Sequence, residues 1–513
     1  MEQKFKSTTQ PQLQHIEPLF TLHAGNTLNS TTNSNNHAVS SICFVRNTNS
    51  HYADDDSDSD SDSEDDIKLR CSNLVLKPND RQKEASQAAT TAASLALHGA
   101  LLASCHVNGD ALLWDLSTRR IVCTFGNDDD SHRGRGPGLA LRKLSDDNDN
   151  HSKFMYQTRG EGGTVSIHDL QSTTVKSILQ LTTHSRTFCT ASPCTNNVNL
   201  IALPSIRDSW ATIRDLRVDP THTPVCMIHG AGLVSCRHDW SLGSVEEEER
   251  RHGMLTSLSM VDSSDDCSRP VLGCGMESGS VFFHDLGMIG KSLPQKEEST
   301  TKWFHMPQPP CCSVKISRDP VLALDIVPSE QRKTIGENKY QKVTSVVAVA
   351  GCAGDALDLC DLPEEERGTI SIIKTSIKDV TCANSSTTKD DISYEKTPNN
   401  NITTTMKASI RNKVSTCEIG QESAGGKPGV STARFRPDGR MFAIGGWDKR
   451  LRIYGRSQGN LLAILKGHED SVNAVDWAED SNVSGVLATG SGDGRILLWR
   501  VFPHSKKNVF LER

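Results

Sequence analysis

Residues 467–499 read GHEDSVNAVDWAEDSNVSGVLATGSGDGRILLW, and the fold predicted for the whole chain follows from how this stretch is interpreted. It brings together a histidine, several carboxylates and several hydroxyl groups, which are the residue types of a hydrolase active site. A Ser-His-Asp triad also needs an exposed nucleophile and an oxyanion hole, and nothing in the stretch resembles the Gly-x-Ser-x-Gly turn that presents such a nucleophile. Short apolar runs separated by Gly-containing turns dominate instead, so we interpret the stretch as architecture.

The same pattern of an apolar run, a tight turn and an alternating apolar run recurs along the 513 residues. We count seven copies, which end at Leu116, Leu170, Leu216, Leu286, Leu362, Gly455 and Val501. Each copy predicts two strands joined by a turn, because the residues between the runs are types that tolerate positive φ. These turn residues are Asn108-Gly109, Gly162-Gly163, Ser278-Gly279, Gly354-Asp355, Asp448-Lys449 and Asp493-Gly494.

A further strand is predicted upstream of several copies, at 38–45, 253–261, 321–327, 430–435 and 472–477. With one outer strand added, each copy becomes a four-stranded blade, and seven blades form a β-propeller. A lone blade cannot cover both of its faces, so the ring must close, and 19–23 is the predicted closing strand on the last blade. The sequence therefore predicts an all-β, seven-bladed propeller with long disordered loop insertions.

The spacing of Gly467-His468, Asp493 and Trp499 matches a WD repeat, in which Gly-His near the start and Trp-Asp near the end belong to one unit of about 40–45 residues. We predict a buried structural hydrogen-bond network of His468, Thr489, Asp493 and Trp499, with Ser491 as an alternative hydroxyl. A blade-end motif is predicted at Trp114, Asp115, Asp169, Asp215, Asp285, Asp361, Trp447 and Asp448.

Polar stretches between the copies are predicted to be loop insertions. The acidic run ADDDSDSDSDSEDD at 53–66 lies in an insertion at about 47–91 that we expect to be disordered, and a second polar insertion is predicted at about 376–427. The acidic run is expected to be solvated, and a kinase target or a contact for a basic partner are its sharper alternatives. The predicted domains are an N-terminal tail at 1–18, a single propeller at 19–503 and a C-terminal tail at 504–513.

Composition argues against several classes of protein. A net charge of −7 gives no basic surplus for nucleic acid, and no apolar run reaches the ~20 residues of a membrane helix. The 16 cysteines lack any Cys-x-x-C pair, so we expect reduced thiols and neither a metal site nor a cofactor. Residues 1–18 show no signal-peptide core, so we expect a nuclear and cytoplasmic protein.

A further set of residues lies between 430 and 503: Arg436-Pro437-Asp438, Met441, Ala443, Gly446-Trp447-Asp448, Arg450, Arg452, Leu498-Trp499 and Pro503. With these residues, the segment resembles the end of the G-protein-β-subunit-like WD-repeat family, which includes the fungal ASTRA-associated WD protein. Further residues compatible with the family are Leu113-Trp114-Asp115-Leu116 and, in a fourth blade, His284 at the Trp position. Residues 1–18 show no heptads, unlike true Gβ subunits, so we expect no Gγ partner.

The resemblance implies a non-catalytic scaffold or adaptor. Family members are linked to the maturation or stability of phosphatidylinositol-3-kinase-related kinases with Tel–Tti-type (TTT) co-chaperones, or to the ASTRA chromatin complex. We therefore expect protein partners, namely co-chaperone or chromatin-complex subunits, and no direct nucleic acid, membrane or small-molecule substrate.

Two alternatives remain open. One is a substrate receptor of a cullin–RING ubiquitin ligase, since Asp215-Leu216-Arg217 matches part of its W-D-x-R motif. The other is a nucleotide hydrolase that uses DLGMIGKS at 285–292, although Asp285 replaces the first glycine of a P-loop.

Overall fold

The computed structural model contains small antiparallel β-sheets arranged in a ring. The structure describes residues 16–23, 38–46, 100–125, 136–144, 152–160, 163–171, 174–195, 197–217, 226–230, 251–262, 270–286, 311–329, 331–334, 340–353, 369–381, 402–415, 429–479 and 485–502. Within those ranges, no helix has the length and apolar character needed to cross a membrane.

Each of the first four blades contains four strands, which follow one another along the chain from the inner to the outer strand. Blade 1 consists of β2 (Val39–Arg46), β3 (Ala100–His106), β4 (Ala111–Asp115) and β5 (Arg120–Phe125). Blade 2 consists of β6 (Gly138–Lys143), β7 (Ser152–Thr158), β8 (Thr164–Gln171) and β9 (Thr174–Thr182). Blade 3 consists of β10 (Ser192–Thr195), β11 (Asn197–Pro204), β12 (Trp210–Asp215) and β13 (Cys226–His229). Blade 4 consists of β14 (Leu255–Asp262), β15 (Pro270–Met276), β16 (Ser280–Asp285) and β17 (Cys311–Lys315).

The last three blades follow the same plan, with one extra strand in blade 5 and one strand from the start of the chain in blade 7. Blade 5 consists of β18 (Val321–Pro328), β20 (Tyr340–Cys352), β21 (Thr369–Thr381) and β22 (Ile402–Ser415), with β19 (Gln331–Thr334) paired to β20. Blade 6 consists of β23 (Val430–Phe435), β24 (Met441–Gly446), β25 (Arg450–Gly455) and β26 (Leu461–Lys466). Blade 7 consists of β27 (Val472–Trp477), β28 (Val486–Ser491), β29 (Arg495–Arg500) and β1 (Phe20–His23). The predicted seven-bladed propeller is confirmed.

The inner strands contact one another in the closed order β2, β6, β10, β14, β18, β23, β27 and back to β2. An apolar cluster fills each of the seven gaps between neighbouring blades. Alternate side chains of a strand point to opposite faces of its sheet, so each blade supplies residues to two clusters. Six of the eight cysteines whose side chains the structure describes are buried free thiols, and several belong to these clusters as small apolar residues.

The ring is closed by β1, the first strand of the chain. It pairs antiparallel with β29, with Phe20 opposite Leu498 and His23 opposite Arg495, so the predicted closing strand is confirmed. The Leu19 N–H extends the ladder by donating to Leu498 O at 2.7 Å. Leu22 is 2% exposed and packs in the cluster between blades 7 and 1. The closing strand therefore covers both a sheet edge and an apolar gap.

The predicted inner strands and most of the predicted turns that the structure describes are also confirmed. Strands β2, β14, β18, β23 and β27 overlap the five predicted upstream strands. Positive φ angles of 89°, 80°, 67° and 77° occur at Gly109, Gly279, Lys449 and Gly494. These are the second residues of four predicted turns, as short hairpins require. Gly162, Gly354 and Asp355 lie outside the described residues.

Blade 5 differs from the sequence prediction. We expected its second strand to end at Leu362, but the strand that pairs with β20 is β21, which begins at Thr369. The sequence TISIIKTSIKDVT of β21 is rich in β-branched residues, whereas DALDLCD carries aspartates that strands disfavour. The polar insertion predicted at 376–427 also contains the end of β21 and all of β22, which pair with each other.

Blade 3, the weakest copy in the sequence, is irregular in the structure. Its inner strand β10 has four residues, and the register against β11 shifts between Pro193 and Cys194. Cys194 and Thr195 pair in parallel with Met260 and Val261 of β14, which joins blades 3 and 4 into one eight-stranded sheet. The short inner strand thus gains backbone hydrogen bonds from the next blade.

We expect Leu22→Ala to destabilise the protein by about 2–5 kcal/mol, because it leaves a cavity in the cluster at the ring closure. His23→Ala, at an exposed position of the same strand, is the matched control and is expected to change stability by less than about 0.5 kcal/mol. Chemical unfolding measures both. Equal effects of the two substitutions would show that β1 does not hold the ring closed through Leu22.

Candidate functional site

The four side chains predicted as a network lie in one hydrogen-bonded chain on blade 7. Trp499 Nε1–H, on β29, donates to Thr489 Oγ1, on β28, at 2.9 Å. Thr489 Oγ1 lies 2.8 Å from His468 Nε2, and His468 Nδ1 lies 3.3 Å from Asp493 Oδ2 in the turn between β28 and β29. Because a carboxylate only accepts, His468 Nδ1 donates to Asp493, and the single Thr489 hydroxyl proton has two acceptors within reach, His468 Nε2 and Leu497 O at 3.3 Å.

Asp493 anchors this chain to the backbone. Its carboxylate accepts the Glu469 N–H at 2.8 Å and the Arg495 N–H at 2.9 Å. Burial opposes ionisation of Asp493, but the hydrogen bonds from His468 and from these two N–H groups outweigh it and lower its pKa to about 2. Asp493 is therefore ionised at every pH at which the protein is expected to work.

The burial of the network defines what its groups can do. Thr489 and Ser491 are both 0% exposed, so neither hydroxyl can meet a substrate as a nucleophile. Ser491, the alternative hydroxyl, serves the turn instead: it donates to Asp470 O at 3.0 Å and accepts the Asp493 N–H at 3.2 Å. We infer that the network fixes the packing of blade 7 rather than performing catalysis.

The blade-end residues of the first four blades have different roles. Trp114 Nε1–H donates to Ser104 Oγ at 2.8 Å, and this hydroxyl lies 3.1 Å from His106 Nε2. Asp115 caps the following turn by accepting the Ser117 N–H and hydroxyl at 2.8 and 2.6 Å. The remaining predicted aspartates are Asp169, which is buried within β8, Asp285, which is buried at the end of β16, Asp215, which pairs with Arg217, and Asp361 of blade 5, which lies outside the described residues.

Trp447 and Asp448 were predicted as a blade-end motif, and this assignment is wrong. They lie in the turn between β24 and β25. Asp448 accepts two hydrogen bonds from Arg452, at 3.0 and 2.5 Å, and the Arg452 side chain is 2% exposed. Tyr454 takes the place in blade 6 that Trp499 takes in blade 7, since both lie opposite the second residue of the neighbouring strand. Blade 6 thus has a buried tyrosine where blade 7 has Trp499, and a partly buried Arg452–Asp448 ion pair at the turn between β24 and β25.

Two networks on other blades were not predicted. Ser104–His106 and Ser166–His168 are hydrogen-bonded pairs spaced two residues apart on one strand, at 3.1 and 2.8 Å. Residues i and i+2 share one face of a strand, so the recurring Ser-x-His triplet was a signal that sequence reading could have used.

Side chains of the inner strands also bond to the backbone of the next blade, and these contacts were not predicted either. Asp476 Oδ2 on β27 accepts the Phe44 N–H of blade 1 at 2.8 Å. Asp325 Oδ2 on β18 accepts the Phe435 N–H of blade 6 at 2.7 Å. Both aspartates are the fifth residue of an inner strand, so the motif was visible as VNAVD and VLALD.

These two carboxylates share an electrostatic environment with Arg142 of β6. Desolvation raises the pKa of Asp325 to about 6 and that of Asp476 to about 7, against the lowering effect of the backbone N–H groups and of Arg142. Glu479 further raises the pKa of Asp476, and burial lowers the pKa of Arg142. Arg434 Nη1 pairs with Asp325 Oδ1 at 3.1 Å. Among the described residues, no group of three His, Cys, Asp or Glu side chains could hold a metal ion.

We expect Thr489→Val to destabilise the protein by about 1–3 kcal/mol, because it keeps the shape of the side chain but leaves the Trp499 N–H without an acceptor. Thr432→Val, at a half-buried position of β23, is the control and is expected to cost less than about 0.5 kcal/mol. Urea unfolding measures both, and an unchanged free energy of unfolding for Thr489→Val would contradict the structural role of the network.

We expect Asp476→Asn to change how stability depends on pH. A carboxyl group whose folded pKa is raised binds its proton more tightly in the folded state, so stability is lost as pH rises from about 4 through about 7. Asparagine can still accept the Phe44 N–H but does not titrate. Between pH 4 and 8, wild type should therefore lose on the order of 1–4 kcal/mol more stability than the variant. Parallel stability curves for the two proteins would refute the raised pKa.

Comparison with known proteins agrees with the blade 7 geometry. The family model "WD domain, G-beta repeat" matches residues 420–455 and 459–500, which include blades 6 and 7. Mouse guanine nucleotide-binding protein subunit beta-like protein 1 is 24% identical over 407 residues, covering 79% of this chain and 88% of that protein. ASTRA-associated protein 1 of Schizosaccharomyces japonicus is 38% identical over 77 residues, covering 15% of this chain and 20% of that protein.

Among solved structures, the β-propeller domain of Cps50 (Swd1) from Myceliophteria thermophila aligns with a TM-score of 0.45 at 15% identity, over 78% of this chain and 93% of that one. The match to the fungal relative spans only about a fifth of its length. The chain thus carries WD40 repeats in its last blades and is similar over most of its length to mouse guanine nucleotide-binding protein subunit beta-like protein 1.

Proposed function

We propose that this chain is a non-catalytic scaffold or adaptor, and that it works in the maturation or stability of phosphatidylinositol-3-kinase-related kinases with TTT co-chaperones or as a component of an ASTRA chromatin complex. The adaptor role is supported by one observation, which is that the polar groups described above find their partners inside the ring. This holds for the hydrogen-bonded network around His468, for the Arg452–Asp448 pair and for the inner-strand aspartates. What remains for function is the surface formed by the loops.

The choice of complexes rests on similarity. The sequence resemblance covers 430–503, and the partial match to a fungal protein named ASTRA-associated protein 1 supports the same assignment. We further propose that the protein is present in both nucleus and cytoplasm, where such complexes would need it. Its partners in this proposal are co-chaperone or chromatin-complex subunits.

The ligase-receptor alternative depends on the corner at Asp215 and Arg217. In the structure Arg217 Nη2 lies 2.6 Å from Asp215 Oδ2, and its Nε donates to both carboxylate oxygens. Asp215 and Arg217 thus pair with each other, and this arrangement does not add support for the ligase-receptor alternative. The nucleotide-hydrolase alternative falls on residues 287–292, which lie outside the described part of the chain.

The adaptor proposal is tested by affinity purification of the tagged protein from its own cells, followed by mass spectrometry. We expect kinase-maturation co-chaperones, their client kinases or chromatin-complex subunits to be recovered, and we expect Arg217→Ala to recover the same proteins. Recovery of a cullin-ligase adaptor that is lost in Arg217→Ala would establish the receptor alternative instead. A thermal shift with ATP or GTP would revive the hydrolase alternative.

A further inference from the structure

The connection between β9 and β10 is an extended segment held by its own hydroxyl groups. From Thr183 to Cys189, residues alternate between buried and exposed. Thr183 Oγ1 donates to Gly163 O at 2.9 Å and accepts the Ser185 N–H at 3.3 Å. The pattern continues, since Ser185 Oγ accepts the Thr187 N–H at 3.4 Å and Thr187 Oγ1 accepts the Cys189 N–H at 3.3 Å. Buried hydroxyls thus replace a neighbouring strand and fix the backbone.

The exposed positions of this segment are His184, Arg186 and Phe188. Phe188 is 67% exposed, although it is a large aromatic side chain on a well-fixed backbone. The Arg159 guanidinium carbon lies 3.6 Å from the centre of the Phe188 ring, and Arg159 Nε donates to Arg186 O at 3.3 Å. One face of the ring is therefore covered by a cation, and its other side is open to solvent.

Neighbouring loops extend this surface across blade 3. Ile206, in the turn between β11 and β12, is 68% exposed, and Met254, just before β14, is 38% exposed. The Leu255 N–H donates to Asp208 O at 2.8 Å, which ties the two loops together. Cys189, next to Phe188, packs in the same apolar cluster as Leu255. All these loops either join two blades or connect the two middle strands of a blade, so they lie on one face of the ring.

Among its described residues, this surface carries three arginines, Arg159, Arg186 and Arg207, against two exposed carboxylates, Asp208 and Glu277. Arg159, Arg186 and Arg207 form no ion pair with any carboxylate among the described residues. Of the nearby acidic groups, the Glu277 carboxylate is engaged by the Met254 N–H at 3.1 Å. Exposed aromatic and arginine side chains are the residue types that dominate binding energy at protein interfaces.

We propose that Arg159, Arg186, Phe188, Ile206, Arg207 and Met254, which we name the Phe188 surface, bind a segment of a partner protein in which acidic residues flank an apolar side chain. The apolar side chain would cover Phe188 and Ile206, and the acidic residues would pair with the arginines. A protein segment fits better than a nucleic acid, because the exposed neighbours of Phe188 include the aliphatic side chains of Ile206 and Met254, which can cover an apolar side chain but give a base no ring to stack on. This inference rests on the adaptor role proposed above and names the class of partner.

The test is selection from a phage-displayed random peptide library on the immobilised full-length protein. We expect enrichment of peptides with Asp or Glu beside an aromatic or aliphatic residue. Phe188→Ala should weaken binding of the best synthetic peptide by about tenfold or more. Arg186→Glu should weaken binding of the same peptide by about fivefold and reduce the salt dependence of that binding. Ile178→Ala, a 49% exposed residue on β9, and Arg120→Glu on β5 are matched controls, expected to stay within about twofold of wild type.

Three outcomes would overturn the proposal. The first is no enrichment or enrichment of basic peptides, and the second is equal binding by wild type and Phe188→Ala. The third is acidic-peptide binding only after the four consecutive glutamates at 246–249 are replaced by serine, which would show that this segment of the chain itself occupies the surface.

Affinity purification separates this proposal from the adaptor role. If wild type and Phe188→Ala recover the same co-chaperone or chromatin subunits, the Phe188 surface fails as their docking site and the adaptor role stands. If acidic peptides bind at Phe188 but wild type recovers neither class of subunit, the proposed complexes fail and the surface stands. Thermal unfolding confirms that each variant is folded, as expected for substitutions of exposed side chains.

Discussion

The structure depends on apolar contact between neighbouring blades. Each sheet has apolar side chains on both faces, so each needs a sheet on either side, and only a closed ring provides one for every blade. The ring closes where β1 joins β29 and Leu22 enters the gap between the last blade and the first. A chain with one blade face left open would expose an apolar surface of the kind that proteins avoid.

Polar groups inside this apolar ring need partners, and the blades meet that need in different ways. Blade 7 uses the chain from Trp499 through Thr489 and His468 to Asp493. Blade 1 uses Trp114 and Ser104, and blade 6 uses the buried Arg452 with Asp448. Between blades, Asp476 and Asp325 accept backbone N–H groups of the next blade at the inner strands.

Because these polar groups bond to one another, residues of the types found in active sites have a structural role in this protein. In the proposed adaptor role, partner proteins would bind to the loops instead. The segment from Thr183 to Cys189 illustrates how a loop becomes a rigid platform. Its buried hydroxyls accept the backbone N–H groups, and the alternate side chains are left facing solvent. A fixed backbone lowers the entropy that a partner's binding would cost, which suits Phe188 and Arg186 to recognition.

The sequence alone determined the ring and its closing strand, because repeated apolar runs with Gly-containing turns have few ways to be buried. It also identified the four residues that meet on blade 7, since His468, Thr489, Asp493 and Trp499 come from one contiguous repeat. It failed at blade 5, where the strands are separated by long polar stretches and local spacing no longer predicts pairing. The contacts of Asp476 with Phe44 and of Arg159 with Phe188 could not be predicted from the sequence, because they join residues of different loops or blades. Such contacts form because the ring brings residues together that are distant in sequence, and a local sequence pattern does not indicate which of them will meet.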